Sequence, residues 1–246
     1  LERLCSDSNS TEELVEQLLS AQTFTQEEMN RALQIACSVP QSKAIKILVS
    51  HNADVNSLSQ EGLSPLCLAI KNTHTINDLT TLIDGGADLN FIDPHGNTLV
   101  HFACSHYGLT VKEIQAILDL LPNSTQKLTQ LNNRGLSPLH LATSINYDLM
   151  QTLLDAANLN FTEMLKNDQK FKDAFIANFE FTLEDFKKYN IDVNDQDAFG
   201  RNYLHRACIS FPESISKLID VGVDLNAHDL EGNTPLHYLC QKDLGT

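Results

Sequence analysis

The stretch Gly135-Leu136-Ser137-Pro138-Leu139-His140-Leu141-Ala142 recurs along the chain. Gly62-Leu63-Ser64-Pro65-Leu66-Cys67-Leu68-Ala69 and Gly96-Asn97-Thr98-Leu99-Val100-His101-Phe102-Ala103 follow its template upstream. Gly200-Arg201-Asn202-Tyr203-Leu204-His205-Arg206-Ala207 and Gly232-Asn233-Thr234-Pro235-Leu236-His237-Tyr238-Leu239 follow it downstream. A second signature, a small or acidic residue followed by Val or Leu and then Asn, closes each repeat. It reads Asp54-Val55-Asn56, Asp88-Leu89-Asn90, Asn158-Leu159-Asn160, Asp192-Val193-Asn194 and Asp224-Leu225-Asn226. Successive asparagines of this set are 34, 70, 34 and 32 residues apart, and the 70 spans two repeats. Two motifs recurring in phase at such a period identify a repeat architecture rather than one common core.

Residue chemistry explains the pattern. Ser64, Thr98, Ser137, Asn202 and Thr234 share one slot, and each can cap a helix start by accepting a free backbone N–H. Pro65, Pro138 and Pro235 follow three of them, at the first helical position, where the missing N–H costs nothing. Further along each repeat, apolar residues fall at helical spacing: Ile45, Leu48 and Val49; Leu79, Leu82 and Ile83; Ile114, Ile117 and Leu118; Ile215, Leu218 and Ile219. The glycines at 62, 96, 135, 200 and 232 fall in connecting turns, where a left-handed backbone is often required. The expected fold is all-α, with antiparallel helix pairs stacked into a solenoid and turn loops projecting along one edge.

These residues resemble the ankyrin repeat, a unit of about 33 residues with a T-P-L-H-x-A motif opening its first helix. The resemblance implies repeats at 58–91, 92–131, 132–161 and 196–227, with degenerate ones at 24–57 and 162–195 and partial ones at 1–23 and 228–246, all in one domain. In the degenerate repeats, Ala32-Leu33-Gln34-Ile35-Ala36 fills the motif slot of one, and Ala174 or Ala177 with Asn194 keeps the other in register. An insertion around Pro122 to Gln130 is expected to lengthen a loop and bend the stack. The chain begins at Leu1 without a Met, so it reads as a fragment or a processed form.

Catalytic chemistry finds no foothold in the pattern. Cys37, Cys104 and Cys208 directly follow the motif alanine, and Cys240 occupies the same slot. They read as small packing residues on successive first helices, too far apart for a bond that needs Cα atoms within about 7 Å. Free thiols suit a reducing cytosol. His101, His140, His205 and His237 hold the His slot, where the resemblance implies a strut between neighbouring repeats. His74, His95, His106 and His228 are expected on loops or helix ends. No phosphate loop, nucleophile elbow or metal-ligand spacing occurs, so neither a cofactor nor a metal is expected and the chain reads as non-enzymatic.

Composition narrows the partner. Against 17 Lys plus Arg stand 32 Asp plus Glu, a net charge of −15. Like-charge repulsion argues against nucleic acid and anionic membranes and favours a protein partner with a basic or neutral surface. No apolar run reaches the length of a membrane span and no signal peptide opens the chain, so a monomeric cytoplasmic protein is expected. Sequons at Asn9, Asn123 and Asn160 read as chance triplets in Asn-rich sequence.

The family resemblance implies binding on a concave face built from loop tips and first helices. The tips supply Gln60, Glu61 and Leu63; Pro94, His95 and Asn97; Asn133, Arg134 and Leu136; and Phe199 and Arg201. First helices add Lys71 and Asn72, Ser105 and His106, and Ser144 and Ile145. Phe199 and Arg201 read as the best anchors, because aromatic and Arg side chains dominate interface energetics, unless Phe199 folds back onto the next loop. Seven aromatics between Phe161 and Tyr189 (Phe161, Phe171, Phe175, Phe179, Phe181, Phe186 and Tyr189) either fill a core that has lost its small residues or line a hydrophobic groove. Asn56, Asn90 and Asn226 look like asparagines that an asparaginyl hydroxylase modifies in ankyrin repeats. Divergent repeats with little Gly and no Trp are similar to ankyrin proteins that intracellular bacteria deliver into the host cytosol. The second reading is the targeting region of a larger enzyme.

Overall fold

The computed structural model describes residues 1–6, 12–40, 42–105, 109–143, 147–178, 183–210 and 212–243. Along the chain it divides into two compact parts, Leu1–Leu141 and Ala142–Thr246. Among the described residues the regular elements are helical, with one isolated bridge pairing Ile92 and Thr98.

The first part holds α1 (Glu2–Cys5), α2 (Glu12–Ala21), α3 (Gln26–Ser38), α4 (Ile45–Ser50), α5 (Pro65–Lys71), α6 (Ile76–Asp84), α7 (Leu99–Cys104), α8 (Val111–Leu120) and α9 (Ser124–Lys127). The helix α10 (Pro138–Ala142) ends it. Helices α1, α3, α5 and α7 pack side by side in one row, and α2, α4, α6 and α8 form a second row behind them. Each pair, α3 with α4, α5 with α6 and α7 with α8, is one helix-turn-helix layer. This is the stacked architecture the periodicity predicts. The motif alanines Ala36, Ala69 and Ala103 are fully buried where neighbouring first helices touch, and Leu48, Leu82 and Leu118 fill the space behind. Small residues let the first helices approach closely, so many thin interfaces replace one large core.

Capping sets the start of each first helix. The Nδ1 of His101 accepts the Thr98 backbone N–H at 3.1 Å, and His140, His205 and His237 do the same for Ser137, Asn202 and Thr234. With Nδ1 accepting, the network assigns the proton to Nε2. The Nε2 of His101 therefore donates to the Leu136 carbonyl of the following repeat at 3.1 Å, and that of His205 donates to Asn233 at 3.0 Å. The implied strut is present at both positions.

Two glycine turns carry a further constraint. Gly62 and Gly96 have φ of +73° and +79°, and a Cβ on Gly96 would lie 2.6 Å from Asn133 Oδ1 and 2.9 Å from its backbone nitrogen. A Cβ on Gly62 would lie 2.8 Å from Pro94. These glycines are needed for handedness and also because the next loop lies directly on them.

The stretch Pro122 to Gln130 departs from its expected form. It holds the helical turn α9, entered through Asn123 at φ +55°, rather than an open loop. Leu128 is fully buried and Lys127 reaches back to Asn90 Oδ1 at 3.1 Å, so the insertion packs onto the preceding repeat.

The second part holds α11 (Tyr147–Ala156), α12 (Phe161–Asn167), α13 (Gln169–Asn178), α14 (Leu183–Lys188), α15 (Tyr203–Ser210), a 3-10 turn at Pro212–Ser214, α16 (Ile215–Asp220) and α17 (Pro235–Asp243). Helix α15 packs on α16 and α17. Phe171, Phe175 and Phe186 are buried, and the Phe161 ring meets Phe175 and Tyr189 edge-on at 4.9 and 5.0 Å. Of the two readings of the aromatic cluster, these residues follow the core one. Phe179 and Phe181 lie outside the described residues. Ile219 departs from the expected apolar face and is exposed.

Two predictions follow from this packing. Gly96→Ala should cost about 2 kcal/mol or more in urea unfolding, because it adds a collision to a left-handed strain of about 1–2 kcal/mol. Gly232→Ala, with φ +83° and nothing within 4 Å, should show the strain alone. Burial holds the His101 imidazole below its ordinary value near 6.5, against the raising effect of the Leu136 carbonyl. The neutral ring is thus favoured in the fold, so stability is full above pH 6.5 and falls as pH drops below it. Thermal melts between pH 7 and 5 should show that fall, and His101→Gln should flatten it.

Candidate functional site

Each projecting loop is locked by its first residue. Asp93 Oδ1 accepts the backbone N–H groups of His95 and Asn97 at 2.9 and 2.7 Å, and Asn132 holds Arg134 and Leu136 in the same way at 3.0 Å. In the second part Asp197 accepts from Phe199 and Arg201, and Asp229 from Glu231 and Asn233. Burial would raise the Asp197 carboxyl, but hydrogen bonds from the Arg201 side chain, the Arg201 backbone and the Phe199 amide outweigh it and hold it low. The Tyr238 hydroxyl, ahead of the backbone donors, brings Asp229 down to about 2. These turn-locking residues were not singled out by the motif reading, although the Asx-turn tendency of Asp and Asn is the signal that finds them.

Between a loop and two first helices the first part opens a groove of about 500 Å³. Arg31, Gln34, Ile35 and Ser38 of α3 form one wall, Leu68, Lys71 and Asn72 at α5 form the other, and Ser59, Gln60 and Glu61 form the lip. Four of the expected residues, Gln60, Glu61, Lys71 and Asn72, meet here. The α3 contribution was missed because that repeat lacks its glycine and the usual motif, leaving no marker for its outward positions. Arg31 pairs with Glu27 at 3.2 Å and Glu2 at 3.4 Å, and Lys71 lies 3.8 Å from Glu61. The groove is therefore close to neutral within a strongly acidic chain. Its charged rim pairs are exposed and individually weak, so a ligand can displace them at little cost.

The other expected residues fall elsewhere. Pro94, His95, Asn133, Arg134 and Ser105 are exposed, on tips or just past α7. Leu63 is a correction: it is 5% exposed, because the turn at Gly62 directs the following side chain inward, and it offers nothing to a partner. Asn97, and Asn72 within the groove, are half-buried and engaged by the fold. Asn97 donates to Asp93 Oδ2 at 2.9 Å and accepts from Asn132 at 2.7 Å, and Asn72 donates to Leu68 and Cys37 carbonyls. Leu136 contributes mainly its carbonyl, the acceptor for His101. His106, Ser144 and Ile145 lie outside the described residues.

Phe199 is 62% exposed, so it does not fold back onto the next loop. The Arg201 guanidinium stands 4.6 Å from its ring centre and is anchored by Asp197 at 2.7 Å. Asn56, Asn90 and Asn226 are exposed. Asn56 nonetheless links two layers, donating to the Gly86 carbonyl at 2.9 Å and accepting the Asp88 N–H at 2.8 Å. His74 lies in the segment between α5 and α6, as expected, with its side chain fully buried 3.6 Å from Asp78.

Residues 3–93 match the family model described as "Ankyrin repeats (3 copies)". Residues 3–93 are ankyrin repeats. A phosphocholine transferase, AnkX, from Legionella pneumophila is 24% identical over 229 residues, covering 86% of this chain and 24% of that protein. A mouse B-cell lymphoma 3 protein homolog is 27% identical over 77% of this chain and 42% of its own length. The human ankyrin repeat and SOCS box protein 6 reaches 38% identity over 92 residues, 37% of this chain and 22% of that protein. The chain thus spans less than half the length of these relatives.

Five of the six thiols are buried packing groups. Cys5, Cys37, Cys67, Cys104 and Cys208 are buried and Cys240 is exposed, so the last member of the column departs from the expected packing role. Burial pushes the Cys67 thiol up to about 11 and the Cys104 thiol up to about 12, which suppresses the reactive thiolate. Among the described residues no His, Cys, Asp and Glu cluster could hold a metal ion, and no helix is long and apolar enough to cross a membrane. Iodoacetamide at pH 8 should modify one thiol of the native chain, Cys240, and all six after unfolding. Mass spectrometry of the alkylated protein checks this.

Proposed function

We propose that the chain is a non-enzymatic scaffold that holds another protein along the loop-and-first-helix face, with the groove between α3 and α5 as the principal seat. Ankyrin repeats serve protein–protein interaction, and the observation that carries this reading is the open, near-neutral groove. Its walls are the helices α3 and α5, and its lip side chains Gln60 and Glu61 are exposed. Preorganised walls lose little conformational entropy on binding, so a modest contact set gives useful affinity. The net charge of −15 favours a partner with a basic or neutral surface.

The second reading makes this face the targeting region of a larger enzyme or of a bacterial effector acting in a host cytosol. The alignment with AnkX, a transferase of which the chain covers 24%, supports it. Both readings use the same surface and differ only in what the surface delivers.

Affinity capture separates surface from scaffold. Three double variants are compared with the wild type: Gln60→Ala with Lys71→Ala in the groove, Phe199→Ala with Arg201→Ala at the tips, and Lys46→Ala with Thr80→Ala on the second-helix side. The groove pair should lose a captured protein by tenfold or more while the second-helix pair retains it, with all melting temperatures unchanged. Equal retention by every variant refutes the placement, and loss confined to the Phe199 pair moves the seat to the tips of the second part.

A further inference from the structure

Leu58, Ile92 and Leu131 each stand four residues before the glycine of a projecting loop, in three successive loops of the first part. They are 56%, 52% and 59% exposed. The residue after each one, Ser59, Asp93 or Asn132, donates its backbone N–H to the carbonyl of Leu63, Asn97 or Leu136 at 2.9 Å. The three apolar side chains therefore leave the backbone at the same point of the turn. Single exposed aliphatics are ordinary, whereas an aligned set marks an interaction surface. In the second part the same register holds Gln196 and His228, so the repeat itself does not call for an apolar residue there.

Exposure alternates along two of these connectors. Asp54, Asn56, Leu58 and Gln60 are open to solvent, with Val55 buried among them. One layer on, Asp88, Asn90, Ile92 and Pro94 are open and Asp93 is buried. Such alternation puts every second side chain on one face, so the apolar column has amides and then carboxylates on one side and uncharged residues on the other. The carboxylates of Asp54 and Asp88 accept the Asn56 and Asn90 N–H groups at 2.9 Å. Lys127 extends to this border too, but its ammonium is engaged by Asn90 Oδ1 and the Leu89 carbonyl at 3.1 and 3.4 Å. Neighbouring layers are tied beside the column by Asn56, which accepts the Asp88 N–H, and by the His95 carbonyl, which accepts the Asn133 N–H at 2.9 Å.

We propose that this column seats an amphipathic helix of a partner protein, with apolar residues at seven-residue spacing and Lys or Arg along one flank. The inference rests on the scaffold reading above and names the partner's chemistry at a place beside the groove, whose lining includes none of the three column residues. Packed neighbouring helices lie about 8–10 Å apart, and the loops step with them. Seven helical residues rise about 10.5 Å and return to nearly the same face, so successive apolar side chains of the partner meet successive layers. A β-strand offers no such match, because its residues three apart, about 10 Å, point to opposite faces. A polyproline helix does repeat every three residues, but it docks in aromatic-lined grooves, and this column is aliphatic. Asp54 and Asp88 border it within a chain of net charge −15, so the partner's flank on that side is basic.

The probe is a fluorescein-labelled peptide of about 21 residues, three heptads that place Leu on one helix face and Lys on its flank. Its binding to the 246-residue chain is read by fluorescence anisotropy. Leu58→Ser with Leu131→Ser should weaken binding by about tenfold or more, and Ile92→Lys should do the same. Asp54→Asn with Asp88→Asn, which keeps the Oδ1 acceptors, should weaken it by about threefold. Leu225→Ser, exposed in the second part, should leave it unchanged, and all melting temperatures should stay within about 1 °C because every altered side chain is exposed. Equal binding by the wild type and the Leu58 with Leu131 variant overturns the proposal. So does equally tight binding of a peptide of the same composition with its leucines off the seven-residue period, or of one with Glu in place of Lys. A dimer of the chain that Leu58→Ser with Leu131→Ser dissociates also overturns it, because a second copy is then the occupant. If the peptide result fails while the groove variants still lose a captured protein, this inference falls and the scaffold reading stands. Column-dependent peptide binding alongside equal capture by every groove and tip variant supports the inference and removes the groove as the seat.

Discussion

Two neighbouring pairs of layers in this molecule are each positioned by one carbonyl at the end of a loop. In Leu136 and Asn233 that oxygen accepts the N–H closing its own loop, from Asn132 and Asp229, and also the Nε2–H of the preceding repeat's histidine. The histidine in turn caps its own helix through Nδ1. One imidazole therefore couples a helix start to the loop of the next repeat, and a neutral ring is required, since a protonated Nδ1 could no longer accept. Burial enforces that neutrality at His101. Loop position, helix start and layer spacing are consequently fixed together at these two positions, where Gly96 and Gly200 leave room for the neighbouring loop.

This arrangement explains a composition that is otherwise poor in large core residues. Each interface is a contact between short helices with alanine at the closest approach, so 246 residues pack without any Trp. Stability is then a sum over neighbours. A repeat can diverge if it still presents matching faces on both sides, as α3 does with Ala32, Leu33 and Ala36 buried although its glycine is gone. Divergence of this kind frees outward positions to vary, and Arg31, Gln34 and Ser38 in the groove belong to that set.

The fold was legible because its determinants are local and repeated. Caps, helix-starting prolines and turn glycines act within a few residues, and their recurrence multiplies the signal. The groove was half legible. Gln60, Glu61, Lys71 and Asn72 follow from motif register alone, but the wall from α3 belongs to a repeat without the motif. Leu63 was misread because tip residues were counted by distance from the glycine, whereas side chains alternate in direction across the turn and the residue after Gly62 points inward.

The second part shows where repeat logic yields to a different chemistry. Its α13 lacks the motif; Phe171 and Phe175 are buried, Arg206 pairs with Asp173 at 3.1 Å, and Lys172 reaches the more exposed Asp195 at 2.7 Å. Burial raises the Asp173 carboxyl despite the opposing Arg206 charge, so this pair carries a desolvation cost that a hydrophobic contact would avoid. Its geometry compensates in specificity. Arg206 also donates to the Arg201 carbonyl at 2.7 Å and lies 4.3 Å from the Tyr203 ring centre, so one guanidinium ties α13, the start of α15 and the loop bearing Phe199 into a single register. Where the alanine column no longer dictates spacing, directional charge contacts take over that task, and they do so beside the loop that carries the exposed Phe199.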